Sequence, residues 1–379
     1  MTIMNVRLSL MSIVIYENSD QAWLSMKKIV PGLSSCYREF LSGQDSLFIT
    51  NLSELSSENY STVVSLDGKL EKLYLICENC TFGQLIIHIH GDFMDRLSDW
   101  MDFLESQIKE NIKLVCSTTA QQRLIFNLMR YESYILPPFQ LNDKKISLLK
   151  KDSYKFIYFG RISENKNIDW LIQYFDKFQR LTNRSDELII RGPVDDIKCM
   201  LKDMSRIPTK LDAYLERLCA EAHGHIDLKF GQFPLSELDG SDFFISLSTY
   251  HDEDYGLAAF EAIEKNLIPI LTNWGGYKSF NRACGVDGIN VKLTTNGATL
   301  NVMSFTKQML FFLNGLDLKV SSLEQDDLET IITGERFFTK ENFIELKKAD
   351  TFKNDIGITD FFSEVEALTY FKLYNSSYC

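Results

Sequence analysis

Two short apolar runs, Phe243–Leu247 and Ile268–Thr272, flank a helix-forming stretch, Leu257–Lys265, and this arrangement constrains the chain more than any other feature. Each run is of strand length and reads as a buried strand. The helix between them carries Ala258, Ala259 and Ala262, which permit close packing on one side. Strand, helix and strand in so short a stretch form a βαβ unit, and parallel sheets bind ligands at the carboxyl ends of their strands. The polar loop Tyr250–Tyr255 comes after the first run, and Gly256 gives the backbone freedom to turn into the helix. The second run ends at a loop containing Gly275 and Gly276. Glu253 lies in the first loop, and Glu261, after seven intervening residues, projects from the second turn of the helix.

A helix start offers free N–H groups and partial positive charge suited to phosphate. A carboxylate beside it repels phosphate and should instead face a neutral, hydroxyl-rich part of a ligand. A sugar nucleotide has both parts. From spacing alone, a solvated loop charge and a surface helix charge are the more ordinary account of Glu253 and Glu261, because Glu pairs are common.

The alternation begins further upstream. Lys155–Phe159 reads as a strand and is followed by GRISENKN. Ile168, Leu171, Ile172, Phe175, Phe178 and Leu181 then trace the buried face of a helix with Asn167 as its N-cap. Gly160, Arg161 and Lys166 thus fall in a loop at the carboxyl end of a strand. Glu187–Arg191 and His225–Phe230 read as further strands, Lys198–Glu221 as a helical stretch interrupted by Pro208, and Pro234–Leu238 as a short helix.

Glu253 and Glu261 at this spacing, Gly256 and Leu257 between them, and Gly160-Arg161 with Lys166-Asn167 upstream together resemble the donor-binding signature of retaining GT-B glycosyltransferases, family 4 (group 1). The resemblance implies an α/β fold with two Rossmann-like domains facing a central cleft and a helical C-terminal tail. It implies that Arg161 and Lys166 grip the donor diphosphate. Glu261 would hold the ribose hydroxyls and Glu253 would contact the transferred sugar. The backbone at Gly160, Gly256 and Leu257 would lie by the donor phosphates, with Gly275 and Gly276 close to the donor. No metal or cofactor is implied, the nucleotide-diphosphate sugar being a substrate. The chain departs from the family pattern at Tyr16–Gln21, YENSDQ, where a Gly-rich turn is frequent. It departs again after Gly276, where Tyr277-Lys278-Ser279 stands in place of Pro-Glu. The motifs are specific over 155–280 and the likeness is only architectural over 1–150.

In the first part, Leu8–Tyr16, Leu47–Thr50, Leu73–Cys77, Leu85–His90 and Lys113–Ser117 read as strands. Asp20–Phe40, Phe93–Ile112 and Thr119–Met129 read as helices. In LIIHIHGDF, His88 and His90 share one face of a strand, and His90 ends it before Gly91 and Asp92. Such a histidine often satisfies a neighbouring backbone group. The resemblance offers the other role for His90, beside the transferred sugar. Pro137-Pro138 ends the pattern, and polar Asn142–Ser153 reads as a linker. Past 300, Phe305–Leu313, Leu323–Thr333, Lys340–Lys348 and Asp360–Leu373 read as helices, the last with a stripe of Phe361, Phe362, Val365, Leu368 and Phe371. The expected domains are 1–145, acceptor-binding; 146–300, nucleotide-sugar-binding; and 301–379, a helical tail packing on the first.

A chain of 379 residues with 45% hydrophobic content can fill two cores. Its formal net charge of −12 opposes nucleic-acid binding, whose affinity comes from neutralising phosphate. No apolar run is long enough to span a bilayer, and no signal peptide is expected. Cys77 and Cys80 form a lone C-x-x-C without a second pair, read as structural thiols of a cytoplasmic protein. Asp252-Glu253-Asp254 contains the D-x-D pattern of metal-dependent glycosyltransferases of another fold, but that fold needs neither Arg161 and Lys166 nor a second alternating domain. The function expected from the resemblance is sugar transfer from a nucleotide-diphosphate sugar to an acceptor hydroxyl, with retention and without metal. Its acceptor would be a glycan or lipid-linked glycan of the bacterial surface, such as lipopolysaccharide or capsule, reached by peripheral contact with the inner membrane. The alternative is a non-catalytic GT-B-like scaffold or nucleotide-sugar-binding subunit.

Overall fold

The computed structural model describes residues 13–18, 25–55, 59–91, 93, 96–106, 111–129, 131–195, 210–250, 253–294, 297–300 and 302–334. The chain divides into two units, and among the described residues it crosses between them at Phe139/Gln140 and Leu323/Glu324. No helix among the described residues is long and apolar enough to cross a membrane.

The first unit alternates β1 (Ile13–Tyr16), α1 (Met26–Phe40), β2 (Ser46–Ile49), β3 (Asn59–Ser65), α2 (Leu70–Asn79), β4 (Thr81–His88), α3 (Leu97–Ser106), β5 (Ile112–Cys116), α4 (Thr119–Met129) and β6 (Ser133–Ile135). Its strands form one parallel sheet in the order β2-β1-β3-β4-β5-β6. Parallel strands covered on both faces read as continuous apolar runs, and all five residues of β5 are buried. One core layer packs Ile15, Val64, Ile86 and Val115 of four neighbouring strands against Ile29, Val30, Leu33 and Tyr37 of α1.

Leu73–Cys77, expected as a strand, belongs to α2. Leu70, Leu73 and Ile76 are its buried residues, and a three-residue step places them on one helical face where a strand would need a step of two. The strand neighbouring β1 and β4 is instead β3, NYSTVVS, whose β-branched Thr62, Val63 and Val64 suit a pleated sheet.

The second unit holds β7 (Lys144–Leu148), β8 (Lys155–Phe159), α5 (Ile168–Thr182), β9 (Glu187–Gly192), α6 (Leu211–Glu221), β10 (His225–Phe230), β11 (Phe243–Ser246), α7 (Leu257–Glu264), β12 (Ile268–Leu271), α8 (Tyr277–Ala283), β13 (Val291–Thr294), β14 (Gly297–Leu300), α9 (Val302–Leu313) and β15 (Leu316–Val320). Five strands make a parallel sheet in the order β10-β9-β8-β11-β12. Strand order reverses between β8 and β11, and a crevice opens at the carboxyl ends of strands at such a switch. The Phe156 and Phe243 rings of those two strands stack 4.7 Å apart beneath it.

Four local expectations are corrected in this unit. Asn167 adopts φ 53° and makes no side-chain cap to α5. Leu181 lies outside the buried face of α5, being 67% exposed one residue before the helix ends. The polar linker contains β7, which pairs antiparallel with β15, and the loop after Gly276 winds into α8. Of the stretch expected as a tail, α9 and β15 belong to the second unit. The helices expected at Lys340–Lys348 and Asp360–Leu373 lie outside the described residues.

A last helix, α10 (Leu328–Thr333), belongs to the first unit, where Ile331 and Ile332 enter the core with α1. Its final carbonyls lack helical partners, as at any helix end. Buried Lys113 of β5 donates through Nζ to the carbonyls of Ile331 and Ile332, at 2.9 and 3.2 Å. Gln84 Nε2 donates to the Ile332 carbonyl at 2.5 Å. Asp326 and Ile135 exchange a pair of bonds just before the helix, at 2.6 and 2.7 Å. Lys113→Met keeps much of the apolar stem but removes the ammonium from both carbonyls, leaving that of Ile332 to Gln84 alone. Urea unfolding is expected to show a loss of about 1–3 kcal/mol for this variant, and an unchanged midpoint would contradict the docking.

Candidate ligand site at the switch of the second sheet

The site is assembled from the segments that leave β8 and β11. Beyond β8 the chain keeps pairing with the continuation of β9: Gly160 N–H donates to the Arg191 carbonyl at 3.0 Å and Ile162 N–H to that of Pro193 at 2.8 Å. This contact is so close that a Cβ on Gly192 would lie 1.7 Å from the Gly160 carbonyl oxygen. The turn Glu164–Lys166 is a single buried helical turn, ended by Asn167 in the left-handed region. Because Asn167 is not spent as a cap, its amide reaches across to the residues after β11. Nδ2 donates to the Leu247 carbonyl at 2.8 Å and to Thr249 Oγ1 at 2.9 Å, and Thr249 N–H returns a bond to the Asn165 carbonyl at 2.9 Å. These bonds bolt the two loops together.

The bolt delivers Lys166 to Glu253. Nζ donates to Oε2 at 2.5 Å, and both residues are 8% exposed. Burial pushes the Lys166 ammonium below the usual lysine range, opposed by the Glu253 carboxylate. Ser248 Oγ donates to the same Oε2 at 2.6 Å. The Tyr250 ring centroid lies 5.1 Å from Arg161 Cζ and 5.1 Å from Lys166 Nζ, each within cation–π range. Arg161 also meets Asp195, with Nη1 3.3 Å from Oδ2.

Three glycines set the height of the Glu253 loop. Gly276 N–H donates to the Glu253 carbonyl at 2.6 Å. A Cβ on Gly275 would sit 2.6 Å from that carbonyl, and one on Gly276 would sit 2.3 Å from the Asp254 carbonyl. The close approach that these two residues permit is therefore to the Glu253–Tyr255 backbone. Gly256, at φ 85°, precedes α7 with its α-carbon against the Tyr277 ring, where a Cβ would lie 2.6 Å from Cε1. The first turn of α7 carries no acidic residue. Leu257 opens it, and Ala258 lies beside Gly160, 4.0 Å from where a Cβ there would be. Glu261 sits on the second turn, half-buried.

The structure thus brings Gly160, Arg161, Lys166, Glu253 and the start of α7 to one sheet end, with Gly275 and Gly276 beneath Glu253 and Glu261 one turn along α7. Asp252 of the D-x-D pattern lies outside the described residues. Among the described residues no group of three or more His, Cys, Asp or Glu could hold a metal ion. Sequence reasoning missed Ser248 and Tyr250 as site-builders, because isolated Ser and Tyr in a loop carry no periodic signal.

His90 belongs to the first unit, just past β4. Its Nε2 lies 2.9 Å from the Leu66 carbonyl, and His88 Nε2 lies 2.9 Å from the Tyr37 hydroxyl. The two rings stack 6.3 Å apart, as their shared face requires. Burial lowers His90 to about 4 and His88 well below the usual histidine range, so both are neutral at pH 7. Asp92 lies outside the described residues.

Residues 139–295 match the family model of group 1 glycosyl transferases. No curated protein sequence matches the chain significantly. Among solved structures, the chain resembles a glycosyltransferase from Rickettsia africae ESF-5, with TM-score 0.50, 12% identity, 96% of this chain and 94% of that one. It also resembles the GtfA/B complex, with TM-score 0.50, 13% identity, 90% of this chain and 60% of that one. A third similar structure is a point mutant of S. aureus TarM, with TM-score 0.46, 16% identity and 83% of this chain. The chain spans only 55% of TarM and 60% of the GtfA/B chain. The two parallel α/β units are those of the GT-B fold.

Removing one partner of a buried ion pair strands the other. Lys166→Ala is expected to destabilise the second unit by about 3 kcal/mol in urea unfolding, and Glu253→Gln in the same chain should restore part of that loss. Additive losses would exclude the pairing. For His90, the unfolded chain takes up a proton near the usual histidine value of about 6.5 while the folded chain does so only at about 4. Stability present above the first value is therefore lost as pH falls through this window, by on the order of 3 kcal/mol. His90→Gln is expected to flatten the pH dependence of unfolding there, and an unaltered slope would count against a buried neutral ring.

Proposed function

We propose that the protein is a glycosyltransferase that moves a sugar from a nucleotide-diphosphate sugar to an acceptor hydroxyl. The observation that carries this reading is the meeting of Lys166 and Glu253 at the switch between β8 and β11, beside Arg161 and the start of α7. The match of residues 139–295 to group 1 glycosyl transferases supports it.

In the reaction the bond between the sugar's anomeric carbon and the diphosphate oxygen breaks, and a bond from that carbon to the acceptor oxygen forms. The departing diphosphate gathers negative charge. Arg161, Lys166 and the free N–H groups at Gly256–Leu257 meet that charge as it develops, where it is worth most. Glu261 takes the ribose hydroxyls. Glu253 orients the transferred sugar, and its carboxylate favours the positive character that the ring acquires. The acceptor proton passes to the departing phosphate oxygen, so attack occurs on the face being vacated and configuration is retained. These cations and the helix start offset the leaving-group charge without a metal. A glycan or lipid-linked glycan of the bacterial surface is the acceptor class, handled by the first unit on the cytoplasmic side at the inner membrane.

Incubation with a panel of sugar nucleotides is expected to release nucleoside diphosphate slowly without acceptor and in the presence of chelator. Lys166→Ala and Glu261→Ala should each lower kcat/KM by roughly 10²–10³. Binding without release from any donor would favour the scaffold alternative. Activity abolished by chelator and restored by manganese would overturn the metal-free mechanism.

A further inference from the structure

Both hydrogen bonds made by the Glu253 carboxylate go to one oxygen. Lys166 Nζ and Ser248 Oγ converge on Oε2, while Oε1 has no partner among the described residues. The two donors differ in kind. Lys166 ends a flexible stem, and its ammonium carries three N–H bonds of which Glu253 takes one. Ser248 is fully buried two residues past β11 and is fixed from three sides. Its carbonyl accepts from Thr272 Oγ1 at 2.6 Å, its hydroxyl oxygen accepts from Tyr250 N–H at 3.2 Å, and its one hydroxyl proton goes to Glu253.

We propose that Ser248 is a positioning residue that keeps the Glu253 carboxylate oriented when an anionic ligand engages Lys166; the inference rests on the glycosyl-transfer reading above. A diphosphate carries more charge than a carboxylate and competes with Glu253 for the Lys166 ammonium. As that contact weakens, the serine hydroxyl becomes the fixed donor that remains. It anchors Oε2 to the ends of β11 and β12 and leaves Oε1 available to accept a hydroxyl of the bound sugar. Without it, the carboxylate would follow the lysine. The effect should therefore grow on passing from free enzyme to the reacting complex and should act only through Glu253.

The test uses the full chain and the sugar nucleotide that the wild type turns over fastest, comparing wild type, Ser248→Ala, Glu253→Ala and the double variant by nucleoside diphosphate release. Ser248→Ala is expected to lower kcat about tenfold or more, with KM nearly unchanged, because a hydrogen bond to a charged group is lost. The double variant should be no slower than Glu253→Ala alone. Ser248→Cys, nearly isosteric but a weak donor, should show the same direction of loss and covers the case in which the alanine variant does not fold. Wild-type kcat in the alanine or cysteine variant overturns the proposal. A Ser248→Ala loss that multiplies onto that of Glu253→Ala overturns it too, since the serine would then act without the glutamate. Absence of release from every donor by the wild type sinks the glycosyl-transfer reading itself, and is distinguished by appearing before any substitution is made.

Discussion

An ammonium and a carboxylate sharing a hydrogen bond almost out of water impose most of the order on the ligand end of the second unit. Neither charge is tolerable there alone, because burial penalises each ionised form. Both must therefore be held in register, and much of the surrounding chain serves that end. Asn167 forgoes its capping role to tie the β8–α5 loop to the end of β11. Gly275 and Gly276 let the segment after β12 close up under Glu253, and the Tyr250 ring lies close to both cations. The strand order supplies the place, and the ion pair supplies the reason that the loops meet there.

The same pair defines what kind of ligand could enter. Its charges nearly cancel, so the site in the free protein is not a strongly positive hole. A ligand gains most by offering each member a better partner at once: negative charge to the lysine and hydroxyls to the glutamate. A bare phosphate meets only half of this demand, and a neutral sugar only the other half. A molecule joining both satisfies it, which favours substrates in which phosphate and sugar are covalently linked.

Much of the second unit is legible in the sequence because its signals are local. Lys155–Phe159 and His225–Phe230 are strands over the residues expected, and Leu257 opens α7 as the glycine before it suggests. The conspicuous charges, Arg161, Lys166 and Glu253, stand at strand ends because alternation alone places loops there. The features that escape depend on partners distant in the chain. Asn167 looks like a cap until Leu247 and Thr249 compete for its amide. β7 looks like a polar linker because its partner, β15, lies far downstream, and edge pairing of that kind leaves Ile146 as its one buried residue. In the first unit, Leu73 and Ile76 read as strand residues because a short apolar cluster fits either period. Ser248 cannot be found from sequence at all, since its importance lies in which oxygen it touches.

The path of the chain also has a consequence for biogenesis. Ile331 and Ile332 complete a core begun by Ile15 and Leu33, yet the ribosome makes them only after every described strand of the other unit. During synthesis the earlier sheet must wait with part of that layer, beside α1, uncovered. The first unit thus completes its core long after its sheet is translated, and the exposed interval is where a chaperone would find its substrate.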